Sequence, residues 1–300
     1  MESEISIDVL GLGSVTVDFV GTLKTWPGKG AKKMLDSLTI CDGGLVGTAL
    51  VAAARLGGKV AFAGKLGRSE MARRALEALC RESVDTSFVV ETEDAEPIVA
   101  IILTDSTDGQ RNIFWTRQNV QYPMPWELPD KNWFRKTAVL LIDFESGLAG
   151  IEAAKTAKQH NIPVVIDVER DEPHIAEAMS VSSHIIVSEE FANDYTGSSD
   201  VAEMLAALRS DPEQVVIVTR GENGCVGSSN EGILSCPPSM WTSWTRRAAA
   251  THSMVHLRWQ LQEVSQLCRL RASPRARLHC VRRSWVAGLE FQRPNSWSSS

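Results

Sequence analysis

Chemistry on a polar ligand would start from a few residues placed where apolar runs break. Asp18 ends the run "IDVLGLGSVTVDFVG", in which Gly11 and Gly13 bring a buried strand pattern to a tight turn. A carboxylate there accepts hydrogen bonds from two neighbouring hydroxyls of a sugar; an Asp in that place equally caps a turn or faces water. The triplet Asp42, Gly43, Gly44 opens a helix of small and apolar residues. Glycines at a helix start let a ligand reach the backbone and offer N–H groups to polyol oxygens or phosphate, while the plain alternative is close packing of the helix on a strand. "VTRGENGCVG", Val218 to Gly227, sets Thr219, Gly221 and Gly224 just after another strand. Such a loop can lie against a nucleotide's phosphates or adenosine, and a tight hairpin turn accounts for the same glycines. Arg111, after "DGQ", either reaches a bound anion or stands exposed in a hairpin.

Apolar patterning shows what must hold these residues. "GGLVGTALVAAARLGGKVAFAGKLG" reads as a glycine turn, a helix from Val46 to Leu56 that is apolar on several sides, and a strand from Val60 to Ala63. "EMARRALEALCRESV" is an amphipathic helix. "SFVVET" and "PIVAIILTD" flank a polar turn and predict a hairpin, continued after "STDGQ" into "RNIFW". From Thr137 onward, the Val/Ile runs "AVLLIDF", "PVVIDV", "HIIVS" and "QVVIVTRG" alternate with amphipathic helices. That predicts an α/β fold with a parallel sheet covered on both faces and ligands beyond the carboxyl ends of its strands. Asp143, Asp167, Ser188 and the stretch from Thr219 to Gly221 then share one edge.

Composition narrows the class. With 300 residues, 43% of them hydrophobic and 23% charged, the chain can bury a sizeable core, which excludes disorder throughout. The acidic start "MESEISIDVLGLG" and the lack of a long uninterrupted apolar run predict a cytoplasmic protein without a membrane partner. Six scattered cysteines with no C-x-x-C pair read as reduced thiols that pack, not as a metal or disulfide framework. "GLGSVT" lacks the third glycine and the later acidic residue of a dinucleotide fingerprint.

The order of these features carries more than any one of them. Gly-x-Gly with Asp18 behind it, a Gly-Gly turn before "TALVAAARLGG", an intervening β hairpin, a parallel α/β half and "TRGENG" after its late strand resemble the ribokinase-like (PfkB) carbohydrate kinases over about residues 6 to 235. The resemblance implies a ribokinase-like three-layer α/β/α fold with a mostly parallel central sheet and a small β-sheet lid. It makes residues 1–236 the kinase domain, with the lid drawn from about 14–40 and 88–118, and leaves 237–300 as an aberrant tail. It also implies ATP and Mg²⁺ as cofactors, a sugar, related polyol or nucleoside as substrate, and a homodimer through the lid. Asp18, Gly43 and Gly44 match sugar-binding positions, with Arg111 on the same side, and Thr48 stands where the family often has Asn. Thr219, Gly221 and Gly224 match the nucleotide loop. Where the family's metal-linked Asn-x-x-Glu belongs, this chain reads "SEEF", Ser188 to Phe191, leaving Glu190, or Glu189 beside it, as the carboxylate for the metal.

One part of that pattern is missing. The family follows its nucleotide loop with a segment close to D-T-T-G-[AC]-G-D-x-F, whose glycines form an anion hole and whose last Asp takes the sugar hydroxyl's proton. Here no Asp follows Asp211, and after Met240 the chain has ten arginines, two glutamates, no lysine and five of its nine tryptophans. Back-translation explains the change. Read from the third base of each codon, Trp241-Thr242 and Trp244-Thr245 each encode Asp whatever the wobble bases, and Met254-Val255 encodes a Gly ten positions after the second Asp. The intervening codons permit D-T-T-G-[GCS]-G-D-T-F-H-G. Residues from about Met240 therefore read as a shifted-frame translation, and the catalytic base is absent from the chain as written. The competing reading is a kinase-derived sugar-binding or regulatory protein whose basic tail engages nucleic acid or an acidic partner. The shifted frame explains the tail's composition more economically, and the tail has no helix-turn-helix or finger spacing. Determining the nucleotide sequence around codon 240 tests this: a gained or lost base there is expected. An intact frame, with native protein ending in this C-terminus by mass spectrometry, would exclude it.

Overall fold

The computed structural model describes residues 6–128, 130, 136–230 and 232–236, so the tail and its missing segment lie outside the described residues. Two sheets organise the chain. The larger is built from β1 (Ile7–Leu12), β4 (Val60–Leu66), β5 (Asp85–Glu91), β8 (Thr137–Asp143), β9 (Val164–Val168), β10 (His184–Ser188), β11 (Val215–Thr219), β12 (Cys225–Ser229) and β13 (Gly232–Cys236). Its order is β13-β12-β11-β10-β9-β8-β1-β4-β5. All neighbours from β11 to β5 are parallel, and β12 and β13 extend the sheet as an antiparallel hairpin. The smaller sheet has the order β3-β2-β6-β7, with β2 (Thr16–Leu23), β3 (Ser37–Gly43), β6 (Ile98–Asp105) and β7 (Arg111–Thr116).

Helices cover both faces of the large sheet because its strands are apolar on both sides. Leu10, Leu140, Ile142, Ile166, Ile185 and Val216 point into one core with α3 (Gly147–Gln159), α4 (Ile175–Val181), α5 (Glu189–Thr196) and α6 (Val201–Leu208). Their strand neighbours Val9, Val139, Leu141, Val165, Ile186 and Val215 point into the other, with α1 (Leu45–Arg55) and α2 (Glu70–Arg81). This period of two with no polar face is what continuous Val/Ile runs require of a doubly covered strand. Side chains also set helix starts. Ser69 Oγ accepts the Ala72 N–H at 3.0 Å to begin α2, and Asp200 accepts from Ala202 and Glu203 to begin α6.

One sequence expectation is corrected. "SFVVET" and "PIVAIILTD" do not form a hairpin: β5 runs parallel to β4 at the edge of the large sheet, while β6 pairs with β2 in the small one. Both segments alternate well enough to be strands, but alternation does not say which sheet a strand joins. The polar turn between them is the crossing from one sheet to the other. The β6–β7 hairpin around "STDGQ" does form, with Thr104 opposite Arg111.

Candidate functional site

From β1 the chain proceeds to β4 and β5 on one side and later returns to β8 on the other, so strand order reverses between β1 and β8. A crevice opens beyond the carboxyl ends of strands at such a reversal. Asp143, the last residue of β8, is 1% exposed there. Its Oδ2 accepts both the backbone N–H and the hydroxyl of Ser14 at 2.7 Å, and its Oδ1 accepts the Glu145 N–H at 3.1 Å. A side chain at Gly13 would run into this carboxyl. Burial pushes the Asp143 carboxyl up to about 7, against the pull of the Ser14 hydrogen bonds, with the charges of Glu145 and Asp167 adding to the rise.

Ser14 also fixes the start of α1. Its Oγ accepts the Leu45 N–H at 3.2 Å, and its carbonyl accepts the Gly47 N–H at 3.1 Å. Those helix N–H groups are therefore occupied within the protein. Gly44 has φ 94°, and a Cβ there would lie 2.6 Å from the Ser14 carbonyl oxygen, so close packing on the strand is what this glycine provides. Gly43 differs. A Cβ on it would stand 2.7 Å from both Asp18 Oδ2 and Thr16 Oγ1, so its bareness makes room for the Asp18 carboxyl. Burial, with the nearby Asp42 charge, holds Asp18 above the ordinary carboxylate range. Asp42 itself is engaged by Arg74 at 2.9 Å and Arg81 at 3.3 Å. Thr48, buried on α1, lines a cleft of about 210 Å³ together with Thr16, Gly43 and Arg81.

The small sheet is tied to the large one by a charged clasp. Arg117, just past β7, donates to Glu145 at 2.5 Å and to Glu172 at 2.6 Å, and Tyr122 donates to the other oxygen of Glu145 at 2.7 Å. The Trp115 ring packs against two guanidinium groups, 5.1 Å from Arg117 and 4.3 Å from Arg170. Arg111 is exposed at the start of β7 with Glu169 as its charged neighbour. Sequence reasoning misses Ser14, Arg117, Tyr122, Glu145 and Arg170. The only signal for them is "DFE" at the end of β8, two carboxylates one residue apart on the ligand edge.

Farther along that edge, Asp143 is the register partner of Asp167, and Ser188 of Thr219, as the strand pattern predicts. The Ser188 hydroxyl accepts the Phe191 N–H at 3.1 Å and so begins α5. Ser188 and Glu190 line a cleft of about 520 Å³ with Glu169, Arg170 and Asp194. The 221–224 turn closes on itself through the Arg220 N–H to the Gly224 carbonyl at 2.8 Å, with Gly221 and Gly224 both at positive φ. It is thus the turn of the β11–β12 hairpin as well as a loop at the ligand edge. Among the described residues no three His, Cys, Asp or Glu side chains form a metal cage. Glu190 is an exposed carboxylate that shares its cleft with Glu169, Asp171 and Asp194 without forming a cage, which fits only a Mg²⁺ held largely by phosphates and water.

Comparison with known proteins agrees with this arrangement. The pattern of the pfkB family carbohydrate kinase matches residues 8–241. A ribokinase of Haemophilus influenzae is 24% identical over 220 residues, 71% of this chain and 72% of that protein. A fructokinase of Vibrio alginolyticus is 28% identical over 204 residues, 63% of this chain and 66% of its own length. In fold, the chain is similar to Arabidopsis thaliana ribokinase complexed with ribose and ATP, with a TM-score of 0.66 and 19% identity, covering 95% of this chain and 99% of that one.

The buried Asp143 makes stability depend on pH. Its folded value of about 7 lies above the ordinary 3.8, so between these values the folded state keeps a proton that the unfolded chain releases. Its contribution is complete below about pH 4 and declines as pH rises toward 7. Urea denaturation across this range is expected to show Asp143→Asn losing that decline, and Ser14→Ala costing about 1–3 kcal/mol by leaving buried partners unsatisfied. An unchanged pH slope in Asp143→Asn would refute the assignment.

Proposed function

Because the chain belongs to the pfkB family of carbohydrate kinases, we propose that its fold serves phosphoryl transfer from ATP to a sugar hydroxymethyl group, and that the chain as written holds substrates without completing the transfer. The observation that carries the reading is the Asp18 carboxyl, half-buried against the bare backbone of Gly43. A partly desolvated carboxylate that has, among the described residues, only the Thr16 hydroxyl as a side-chain donor gains from further donors, and two adjacent sugar hydroxyls would supply them. Thr48 lines the neighbouring cleft, whereas Arg111 lies two strands from β2 in the row of Thr22 and Thr104, so it is only a more distant polar contact. The names of the relatives make ribose and fructose the first sugars to try.

For the nucleotide, Ser188 and Thr219 end adjacent strands in register, and the Gly221–Gly224 turn follows directly. Glycines there keep side chains out of the path of a phosphate or adenosine. Mg²⁺, when bound with ATP, neutralises charge on the phosphates, and Glu190 is the carboxylate offered to it. The residues that would accept the hydroxyl proton and cradle the transferring group have no counterpart after Asp211. Two facts support a break near residue 240: the family match ends at 241, and β13 still pairs in register with β12 through Cys236.

The same reading includes a homodimer through the small sheet. Ile40, Phe19, Ile101 and Phe114 form one cross-strand row over its four strands, and Ile40, Ile101 and Phe114 are exposed large apolar side chains. It also includes a cytoplasmic location; no helix of the described residues is long and apolar enough to cross a membrane.

Sugar-dependent ADP production tests the proposal. The chain as written is expected to run several orders of magnitude below a version whose residues after Met240 are read in the neighbouring frame. Kinase-like turnover by the 300-residue chain itself would overturn the inactivity. If the neighbouring-frame version also fails, with every sugar tried, the kinase reading falls instead.

A further inference from the structure

Cys225 begins β12 and Cys236 ends β13, and the backbone makes them direct cross-strand partners at the open end of the hairpin. Directly opposed residues in an antiparallel pair have Cα atoms about 4.5–5.5 Å apart, inside the roughly 4.4–6.8 Å range of disulfides. The other cysteines of the described residues have no such partner: Cys41 pairs with Asp18 across β2 and β3, and Cys80 lies on α2. The row containing the pair continues inward to Thr219 and then Ser188. Among the described residues β13 is the outermost strand of the large sheet, and Cys225 beside it is partly exposed.

We propose that Cys225 and Cys236 form a dithiol redox site that a low-molecular-weight disulfide, of the oxidised glutathione class, converts into a cross-strand disulfide. The thiolate of one cysteine attacks a sulfur of the oxidant, leaving a mixed disulfide and releasing one small thiol. The second thiolate then displaces the other small thiol as the bond within the chain closes. The two cysteines give up two electrons and two protons, and the oxidant leaves as two thiols. Because the strands are already paired in register, the bond needs little backbone movement, whereas distant cysteines would need a great deal. It fastens β13 to β12 directly after the Gly221–Gly224 turn, so oxidation acts on the strand ends assigned to the nucleotide. The bond itself does not depend on that assignment.

The test treats the full chain with oxidised glutathione, blocks the remaining thiols and digests without reduction at glutamate, which cuts between the two cysteines at Glu231. Mass spectrometry is expected to find the Cys225 and Cys236 peptides joined and lighter by two hydrogens, and separated again by dithiothreitol. In Cys236→Ser the reaction is expected to stop at a glutathione adduct on Cys225, a trapped first step that a misfolded variant would not produce selectively. Lasting glutathione adducts on both cysteines of the unsubstituted chain, linkage of either to Cys41, Cys80, Cys268 or Cys280, or no reaction at all would each overturn the proposal.

Discussion

A buried carboxylate at a strand end joins the parts of this molecule. Asp143 accepts two hydrogen bonds from Ser14, and Ser14 in turn accepts the first N–H of α1. Three pieces of chain meet there: the exit of β1 toward the small sheet, the return into α1, and the end of β8. Without the Ser14 hydroxyl, Asp143 would keep only the two backbone N–H donors of positions 14 and 145; without Asp143, the turn that launches the small sheet would lose its anchor. The glycines on either side follow from this. Gly13 leaves space for the carboxyl, and Gly44 lets α1 start against the Ser14 backbone.

The small sheet is held from its other end by a different kind of contact. Arg117 reaches two acidic residues on the body, and the Trp115 ring packs against two arginines. These groups are partly exposed, and Arg117 has 31% of its side chain in solvent, so the clasp is weaker than its number of contacts implies. The small sheet is thus anchored firmly at its root and loosely at its far edge. Asp18 sits near the rigid root, where its position is fixed by β3 and Gly43 rather than by the clasp.

Much of the large sheet was legible because its inner strands carry apolar side chains on both faces. Val139 to Ile142 and Val215 to Val218 are continuous runs, and their ends alone place Asp143, Asp167, Ser188 and Thr219 on one edge. The partner of β5 was not legible, since alternation fixes which face of a strand is buried and not which neighbour it takes. Nor was the clasp: a single Arg117 in a polar stretch has no periodic signature, and its acidic partners lie 28 and 55 residues away. Gly44 shows a third limit. Its sequence fits a ligand-facing glycine and a packing glycine equally, and only the distance to Ser14 separates them.

The chain thus carries the pfkB family fold up to about residue 241 in well-paired elements, and its sequence has no Asp after Asp211. Under the proposed reading binding and chemistry are separable, because Asp18, Gly43 and Thr48 all lie in elements formed before residue 237. Titration calorimetry of the full chain with ribose and fructose examines this separation most directly. The account predicts saturable binding of a sugar, weakened about tenfold to a hundredfold in Asp18→Ala by loss of a charged hydrogen-bond acceptor. Sugar binding of equal strength in Asp18→Ala would contradict it.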